Sequence, residues 1–409
     1  MSIYARPLMK RRDFMKSLVA LAASYPFLRR FNPIFAQSQT TQQFFIPPTT
    51  LHVTENSAML YFRLSAYTDD VEVIITQDGI EVERVPVDAT KQLRQLVTIE
   101  NLDKSTIYQA EILVGGQSPS LVGQGEAWGS ISFRTQPYEW PIRFAALGDS
   151  GFGDAVTLRL AEHIAQADID FFIHLGDVVY NSDENDNDLW LNWALKYYGP
   201  FRNVLCQTPH YVAVGNHDRE GTTLLDGQSF IYWAFPPYNA DEAFEGRRQW
   251  SSFVVNDVQF LSLDSQVFYT DPGRAEQNQW LDERLADTKF RTTIPFFHIP
   301  LWTSSSVHRE DGLPVEGDWY RRFTNASNQI GLVMAAHAHL YERLFLDGVH
   351  YITSGGGSQS IYAIGEKVAW SQKALSLAHY LLVEIHQDKI IVMAYDVNHT
   401  LLDRAEWEI

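Results

Sequence analysis

Five short runs of residues with metal-binding side chains each follow an apolar, strand-like stretch of the chain. They are GDSG at residues 148–151, GDVVY at 176–180, GNHD at 215–218, His298, and HAH at 337–339. Together they hold three carboxylates, a phenol, an amide and four imidazoles. Zinc, manganese and iron accept such mixed nitrogen and oxygen donors, whereas calcium and magnesium prefer mainly oxygen. If the five loops converge, the sequence predicts a hydrolase with a two-metal centre.

The elements that must position these side chains begin at Ile142, where short apolar runs start to alternate with segments of helical periodicity. The apolar runs lie at 142–147, 171–175, 211–214, 260–263, 294–297 and 331–335, and the helical patterns include 157–166 and 277–286. Strands buried on both faces and separated by helices indicate an α/β fold with α-β-β-α layers. Ligands of such sheets gather at the carboxyl ends of the strands, where all five runs begin.

Local backbone chemistry supports this placement. The glycines at positions 148, 151, 176 and 215 allow sharp turns as the chain leaves each strand. If the HAH run lies on a strand, His337 and His339 point to the same face.

The chain before Ile142 has a different pattern, which is typical of β structure. Short apolar or alternating segments at 51–54, 58–64, 71–75 and 95–99 are separated or followed by turn residues such as Asp78-Gly79 and Gly115-Gly116. This spacing predicts an all-β sandwich over residues 41–136. Residues 137–141 predict a short, stiff linker, and residues 140–409 form the predicted catalytic domain.

Composition limits the kinds of partner. The chain has 409 residues, 45% of them hydrophobic, and a formal net charge of −18. A globular protein this acidic is not expected to bind nucleic acid or an anionic membrane, because such binding needs a basic face. A phosphate site in it must be made locally positive, and bound metal cations would do that. The single cysteine, Cys206, excludes an internal disulfide and is predicted to be a buried apolar side chain.

The first 36 residues are predicted to be an export signal. Basic residues that include Lys10, Arg11, Arg12 and Lys16 precede an apolar run at 17–28, which is too short to span a membrane. The paired arginines followed by x-Phe-Met-Lys resemble a twin-arginine signal. That pathway exports folded proteins, which suits a chain that loads metals before it leaves the cell. We therefore expect a periplasmic or extracellular protein with no membrane association after the signal is removed.

The five runs, in their order along the chain, resemble the metallophosphoesterase superfamily. The order is GDxG, GDxxY, GNH(D/E), H and HxH. Tyr180 and the tail HAHLYER at 337–343 narrow the resemblance to the purple acid phosphatases, in which a fibronectin type III-like domain commonly precedes the catalytic domain. The match covers residues 142–357, and the predicted sandwich at 41–136 agrees with it.

The resemblance implies a metal-binding role for seven residues. Asp149, Asp177, Tyr180 and His339 would hold an iron(III), and Asp177 would bridge to a second divalent ion held by Asn216, His298 and His337. The second ion would be zinc, manganese or iron(II), and a phenolate on iron(III) would give a visible charge-transfer band. Asp218 is not a ligand in the family and is expected to stabilise its loop.

The expected reaction is hydrolysis of phosphate monoesters by attack of a metal-bound hydroxide. His217, next to Asn216, is placed to hydrogen-bond the phosphoryl oxygens or the leaving group. His308 resembles a position where the family carries a histidine, and we expect it to protonate the leaving oxygen. The chain departs from the family pattern at Ala336, where glycine is usual, and at Pro295, where valine is usual. Both changes bear on loop geometry and remove no ligand.

Two other functions use the same sequence features. A phosphodiesterase or nucleotidase could use the same metal centre, although cyclic-nucleotide diesterases usually lack a tyrosine at the position of Tyr180. A non-catalytic surface protein would carry a decayed site, but all seven ligand residues are present. The segments at 181–188, 221–228 and 304–317, which would line the pocket, give no indication of the physiological substrate, and the sequence does not indicate an oligomeric state.

Overall fold

Strands dominate the computed structural model, which describes residues 42–180, 191–219, 250–270, 273–326 and 328–409. The first eight are β1 (Gln43–Val53), β2 (Ala58–Leu64), β3 (Thr68–Gln77), β4 (Ile80–Ala89), β5 (Arg94–Ile99), β6 (Ile107–Val114), β7 (Ser120–Leu121) and β8 (Ser130–Arg134). They form two four-stranded sheets, in the orders β5-β2-β1-β7 and β4-β3-β6-β8. Buried and exposed residues alternate along β6, as expected for a sheet with one face on a core. The predicted all-β sandwich is confirmed.

Thirteen further strands in the described residues build two larger sheets. They are β9 (Ile142–Leu147), β10 (Phe171–His174), β11 (His210–Val212), β12 (Ser251–Val255), β13 (Val258–Ser262), β14 (Thr292–Phe296), β15 (Val333–Ala335), β16 (Tyr341–Leu346), β17 (Val349–Ser354), β18 (Ser371–Leu375), β19 (His379–Ile385), β20 (Lys389–Asp396) and β21 (Leu401–Glu408). The six-stranded sheet has the order β11-β10-β9-β19-β20-β21, and the seven-stranded sheet has the order β12-β13-β14-β15-β17-β16-β18.

Aromatic side chains pack these two sheets against each other. Phe144 on β9 meets Phe260 on β13 edge to face, with ring centroids 5.7 Å apart. Phe171 on β10 meets Phe260 at 5.2 Å, and the ring of Tyr211 on β11 stacks on Phe253 of β12. Such rings bury a large apolar area and prefer these edge-to-face and stacked arrangements. The two sheets therefore share one core and form the two inner layers.

Helices cover the outer faces. They are α1 (Ala155–Gln166), α2 (Arg202–Leu205), α3 (Val267–Thr270), α4 (Arg274–Leu285) and α5 (Leu313–Asn325). The Asp154 side chain caps α1 by accepting hydrogen bonds from the amides of Val156 and Thr157. Leu281 of α4 and Trp319 of α5 are fully buried in an apolar cluster on the seven-stranded sheet. The layers are those of the predicted α-β-β-α fold, which is confirmed.

The sandwich and the layered region belong to one compact unit, Gln42–Ile409. Gln136 connects them, because its side-chain amide donates to the carbonyls of Val53 (2.6 Å) and Val254 (3.0 Å). Its carbonyl oxygen accepts from the amide of Asn256, whose side chain bonds in turn to the backbone of Tyr138. The predicted linker at 137–141 is thus held by hydrogen bonds to the β12–β13 turn.

Pro295 lies within β14, where a proline removes one backbone donor. The amides of Thr293 and Phe297 both donate toward residues 329–334, so the missing amide falls on that edge of β14. β14 pairs with β15 only at Phe296–Met334 and with β13 along its whole length. Pro295 therefore lies just before the position at which β14 pairs with β15, so its missing amide removes no hydrogen bond between these two strands.

The predicted export signal at 1–36 lies outside the described residues. Among the helices of the described part of the chain, none is long and apolar enough to cross a membrane.

Candidate metal centre

The five runs lie at one edge of the two inner sheets. Each begins one to three residues after a strand ends: after β9, β10 and β11 of one sheet, and after β14 and β15 of the other. Because these strands are parallel neighbours within their sheets, their carboxyl ends lie together. The five loops therefore converge in the structure.

Three of the predicted ligands have a left-handed backbone. The φ angles are 61° at Asp149, 53° at Asp177 and 64° at His337. Aspartate and histidine tolerate this region better than most residues that have a side chain. The HAH run consequently leaves β15 in a bend and does not continue the strand. The left-handed His337 still brings both rings to the same pocket.

The glycines of the five runs are needed mainly because neighbouring parts of the chain approach their backbone closely. Gly176 alone of the four has a positive φ, 95°. A β-carbon at Gly215 would lie 2.1 Å from Asp177 Oδ1, and one at Gly151 would lie 2.6 Å from the amide of Tyr180. At these positions glycine is needed because neighbouring loops touch the backbone.

One group of donor atoms comes from Asp149, Tyr180 and His339. The Tyr180 hydroxyl is 3.0 Å from His339 Nε2 and 3.3 Å from Asp149 Oδ1, and the last two atoms are 3.3 Å apart. His339 Nδ1 donates to the carbonyl of Ser360 at 2.7 Å. This bond directs the lone pair of Nε2 toward the other two side chains.

A second group centres on His298. Its Nε2 is 3.2 Å from Asn216 Oδ1 and 3.2 Å from Asp177 Oδ1, while its Nδ1 donates to the carbonyl of Leu175 at 2.9 Å. One oxygen each of Asp149 and Asp177 and a ring nitrogen of His298 lie within 4.8 Å of one another. Asp177 therefore lies close to both groups.

His337 faces the carboxylate of Asp311, which was not predicted from the sequence. Its Nε2 is 2.9 Å from Asp311 Oδ2, and the same oxygen is 2.8 Å from His308 Nδ1. Hydrogen bonds from His337 and then His308 lower the pKa of Asp311 to about 2. Asp311 follows His308 by three residues, and this spacing is the only signal in the sequence that could have indicated it.

His217 and Asp218, the last two residues of the GNHD run, have different roles. Asp218 is fully buried and accepts hydrogen bonds from the backbone amides of Asp177, Val178 and Gly215 at 2.8–2.9 Å. It holds the GDVVY and GNHD loops together, as expected for a residue that stabilises its loop. The ring of His217 packs edge to face on Tyr180, with centroids 4.7 Å apart, and lines the pocket.

Burial and neighbouring charges shift the pKa values of the central groups in opposite directions. Burial raises the pKa of Tyr180 well above its usual range, and Asp149 raises it further. Burial alone would raise the pKa of Asp177 and lower that of His298. Their mutual contact reverses both effects, so the pKa of Asp177 is lowered and that of His298 is raised to about 9. The site therefore favours positive charge beside its carboxylates.

The donors open onto a pocket of about 390 Å³. It is lined by Phe152, Asp177, Tyr180, Asn216, His217, His308, His337, His339, Ser360 and Tyr362. None of these described lining residues is an arginine or a lysine. Phe152 and Tyr362 were not predicted, since neither belongs to one of the five runs. The predicted pocket segments at 181–188 and 221–228 lie outside the described residues.

The donor spacing fits metal coordination. Two ligands at right angles on an ion with bonds of about 2.1 Å lie about 3.0 Å apart. The separations within the two groups are 3.0–3.3 Å, and the donors are the oxygen and nitrogen types that iron, zinc and manganese accept. The residues of both groups therefore fit metal ions as ligands.

Sequence comparison gives a consistent result for the same part of the chain. Residues 142–341 match the family model described as calcineurin-like phosphoesterase. "Probable purple acid phosphatase 20" of Arabidopsis thaliana is 30% identical over 247 residues, which cover 57% of this chain and 55% of that protein. "Purple acid phosphatase 22" of the same plant is 28% identical, with 52% and 48% covered. The chain thus spans about half the length of the curated relatives it matches.

Solved structures with the same fold extend the likeness to nearly the whole chain. The purple acid phosphatase PPD1 from yellow lupin seeds has a TM-score of 0.66 at 15% identity, covering 88% of this chain and 73% of that one. The structure of PhoD has a TM-score of 0.67 at 13% identity, covering 90% and 93%. At these identities the likeness shows the fold alone.

Proposed function

We propose that the protein is an exported acid phosphatase, because residues 142–341 match the family model described as calcineurin-like phosphoesterase and the chain is similar to purple acid phosphatases of Arabidopsis thaliana. It hydrolyses phosphate monoesters in the pocket at the strand ends, with two metal ions. The observation that carries the proposal is the 3.0–3.3 Å spacing of donor atoms from different loops. Hydrogen bonds alone would not require this mixture of phenol, carboxylate, amide and imidazole groups at one point.

The ligands divide between two ions. Iron(III) is assigned to Asp149, Tyr180, His339 and Asp177. A divalent zinc, manganese or iron(II) is assigned to Asn216, His298, His337 and Asp177. The Tyr180 group supports this division, because an anionic phenolate oxygen suits a hard trivalent cation. The pKa of Tyr180 is raised, so the phenolate needs a strong cation beside it.

Bound metal cations would supply the positive charge that holds a phosphate group, and they would lower the pKa of water in the pocket. Residues of the chain orient the proposed ligands and hold their loops in place. The backbone carbonyls of Leu175 and Ser360 fix the rings of His298 and His339 with Nε2 toward the site. Asp218 holds the two loops that carry Asp177 and Asn216.

Two histidines are placed to handle the substrate. The His217 ring has 38% of its side-chain surface exposed, and it lines the pocket beside Asp177, where it can donate to a phosphoryl oxygen. His308 lies across the pocket with its Nδ1 engaged by Asp311, which leaves Nε2 to deliver a proton to the leaving oxygen. These roles are expected to matter most for alkyl esters, whose leaving groups are poor.

Metal content and colour test this assignment. The purified protein should contain close to two metal ions per chain, show a visible absorption band, and hydrolyse 4-nitrophenyl phosphate. Tyr180→Phe should abolish the band. Tyr362→Phe is the matched control, because Tyr362 also lines the pocket and stacks on His339 at 4.1 Å but is not assigned as a ligand. A folded protein that is colourless and free of metal would refute the proposal.

A panel of substrates distinguishes a phosphomonoesterase from a phosphodiesterase. Activity on monoesters at least tenfold above that on bis(4-nitrophenyl) phosphate and cyclic nucleotides would support the proposal. The reverse order would assign the same centre to a phosphodiesterase.

Export is proposed from residues 1–36 and is tested separately. Replacing Arg11 and Arg12 together by lysine keeps the charge but removes the twin-arginine feature. The double variant should remain inside the cell, whereas Lys10→Arg with Lys16→Arg should be exported. Equal export of both variants would exclude the twin-arginine route.

A further inference from the structure

Asp311 lies between two histidines with different proposed roles. A single carboxylate oxygen, Oδ2, lies 2.8 Å from His308 Nδ1 and 2.9 Å from His337 Nε2. The two imidazole rings are 4.6 Å apart at their centroids. His308 is the proposed proton donor, and His337 is a proposed ligand of the divalent ion. Within the described residues, Asp311 is the carboxylate that hydrogen-bonds to both rings, and neither ring bonds to another one.

The loop that carries Asp311 is held by hydrogen bonds at Ser304 and at Asp311. It leaves β14, passes His298 and His308, and enters α5 just after Asp311. At its start, the fully buried carboxylate of Glu342 accepts a hydrogen bond from the backbone amide of Ser304 at 2.7 Å and bonds to the Ser304 hydroxyl. At its end, the Asp311 amide donates to the carbonyl of His308. The carboxylate of Asp311 is therefore held at a defined place by the fold.

We propose that Asp311 is a positioning residue that holds His308 and His337 in their working orientations at the same time. A carboxylate that accepts from an imidazole fixes the rotation of the ring, and removing such a partner from a metal-binding histidine typically costs ten- to a hundredfold in metal affinity. The bond to His308 Nδ1 directs the other ring nitrogen into the pocket, where the leaving group would lie. The inference deepens the proposed function and rests on it.

Two measurements on the full chain test the two contacts. The first follows the zinc retained by the protein during dialysis against increasing concentrations of a chelator. Asp311→Ala should lose its more weakly held ion at a free zinc concentration ten- to a hundredfold higher than the wild type. This readout needs no catalytic activity.

The second measurement compares leaving groups at saturating metal. Asp311→Ala should reduce kcat for an alkyl phosphate at least tenfold more than for 4-nitrophenyl phosphate, whose leaving group needs no proton. His308→Ala should show the same selectivity. In the double variant the two losses should not add, because both act through one ring.

Variants close in shape keep the test decisive. Asp311→Leu has a similar size and shape but no hydrogen-bond acceptor, so it should show both effects if Asp311→Ala fails to fold. Glu310→Gln removes the neighbouring exposed carboxylate and should change neither readout. Retention of either wild-type property in both Asp311 variants, or the same changes in Glu310→Gln, would overturn the shared role. A wild type that binds two metals but hydrolyses no ester would refute the proposed function, while zinc retention would still decide the contact with His337.

Discussion

At the scale of single residues, the left-handed backbone at Asp149, Asp177 and His337 concentrates local strain where the donors are needed. Non-glycine residues in this region cost of the order of 1 kcal/mol each, and such residues cluster at functional sites. The conformation turns each side chain back across the strand end toward its neighbours. Of the ten non-glycine residues with a positive φ in the described part of the chain, three are proposed metal ligands.

Phe152 is expected to influence which esters bind well. Its side chain is 44% exposed in the pocket wall, and its ring lies 4.4 Å from that of Tyr180. An aromatic pair contributes about 0.5–1.5 kcal/mol beyond its buried area, which is roughly two- to tenfold in affinity. Phe152→Ala should therefore raise KM for aryl phosphates by that factor and leave KM for small alkyl phosphates nearly unchanged.

Phe152→Leu is the matched control for this measurement, because it keeps an apolar side chain without a ring. It should give an intermediate value, with the visible band of the protein unchanged. An equal rise in KM for aryl and alkyl esters would show that Phe152 only supports Tyr180.

Asp170 should make the stability of the protein depend on pH. Burial raises the pKa of this carboxyl to about 6, although it accepts a hydrogen bond from the amide of Arg143. The folded state holds the proton more tightly than the unfolded state, so stability falls as pH rises from about 4 to about 6 and stays lower above that range. Asp170→Asn should stabilise the protein at pH 7 by about 1–2 kcal/mol, after allowance for partial exposure.

Denaturant unfolding at pH 4.5 and pH 7 checks the sign for Asp170. The gain from Asp170→Asn should be larger at pH 7. Asp168→Asn removes an exposed charge two residues away and should change stability little at either pH. A larger gain at pH 4.5 would contradict the assignment.

At the scale of elements, Gly148 and Ala336 pack against each other just after the ends of β9 and β15. A β-carbon at position 148 would lie 2.4 Å from the β-carbon of Ala336 and 3.1 Å from that of Leu175. Ala336, which departs from the family pattern, is fully buried and fits because position 148 has no side chain. The absence of a side chain at Gly148 therefore makes room for the alanine at position 336.

The pair can be tested with a double-mutant cycle. Gly148→Ala should destabilise the protein by about 1–3 kcal/mol through overpacking, and it should reduce activity because Asp149 and His337 are adjacent. Ala336→Gly added to Gly148→Ala should recover most of the stability. Additive effects in thermal unfolding would show that the two positions do not share this space.

The sequence predicted the parts of the site that lie at strand ends, whereas in the long loops it indicated His308, through the family resemblance, but neither Asp311 nor Tyr362. The five runs could be placed because apolar strands and their carboxyl ends are visible in the pattern of residues. Asp311 and Tyr362 could not, since they reach the pocket through loops whose course is set by distant contacts. One such contact is the hydrogen bond from the Ser304 amide to the Glu342 carboxylate. The same limit applies to β19, which pairs with β9 across more than 230 positions in the chain.

At the scale of the whole molecule, the sandwich and the layered region share one apolar core. The same cluster of buried residues includes Phe44 of β1 and Phe144 of β9. Hydrogen bonds also cross the boundary, such as the one from the amide of Ser132 to the carbonyl of Cys206 at 2.7 Å. Residues 42–409 should therefore unfold in a single cooperative transition.

Gln136 is the side chain with which to test this coupling. It is 7% exposed and makes three hydrogen bonds to backbone groups of both regions. Gln136→Ala leaves those groups without their partner and should cost about 2 kcal/mol or more. Calorimetry should show one transition at a lower temperature. Gln109→Ala, at an exposed position of β6, should leave the transition unchanged. Two separate transitions in the wild type would show that the regions fold independently.

The hydrogen-bonded connection around Gln136 also bears on recombination between homologous genes. A crossover placed in the linker would pair the sandwich of one parent with the β12–β13 turn of another, and Asn256 would then face an unmatched partner. Functional chimaeras are expected only when β1, the linker and this turn are inherited from the same parent. In this protein the N-terminal sandwich is thus not an exchangeable module, and the two regions are expected to diversify together.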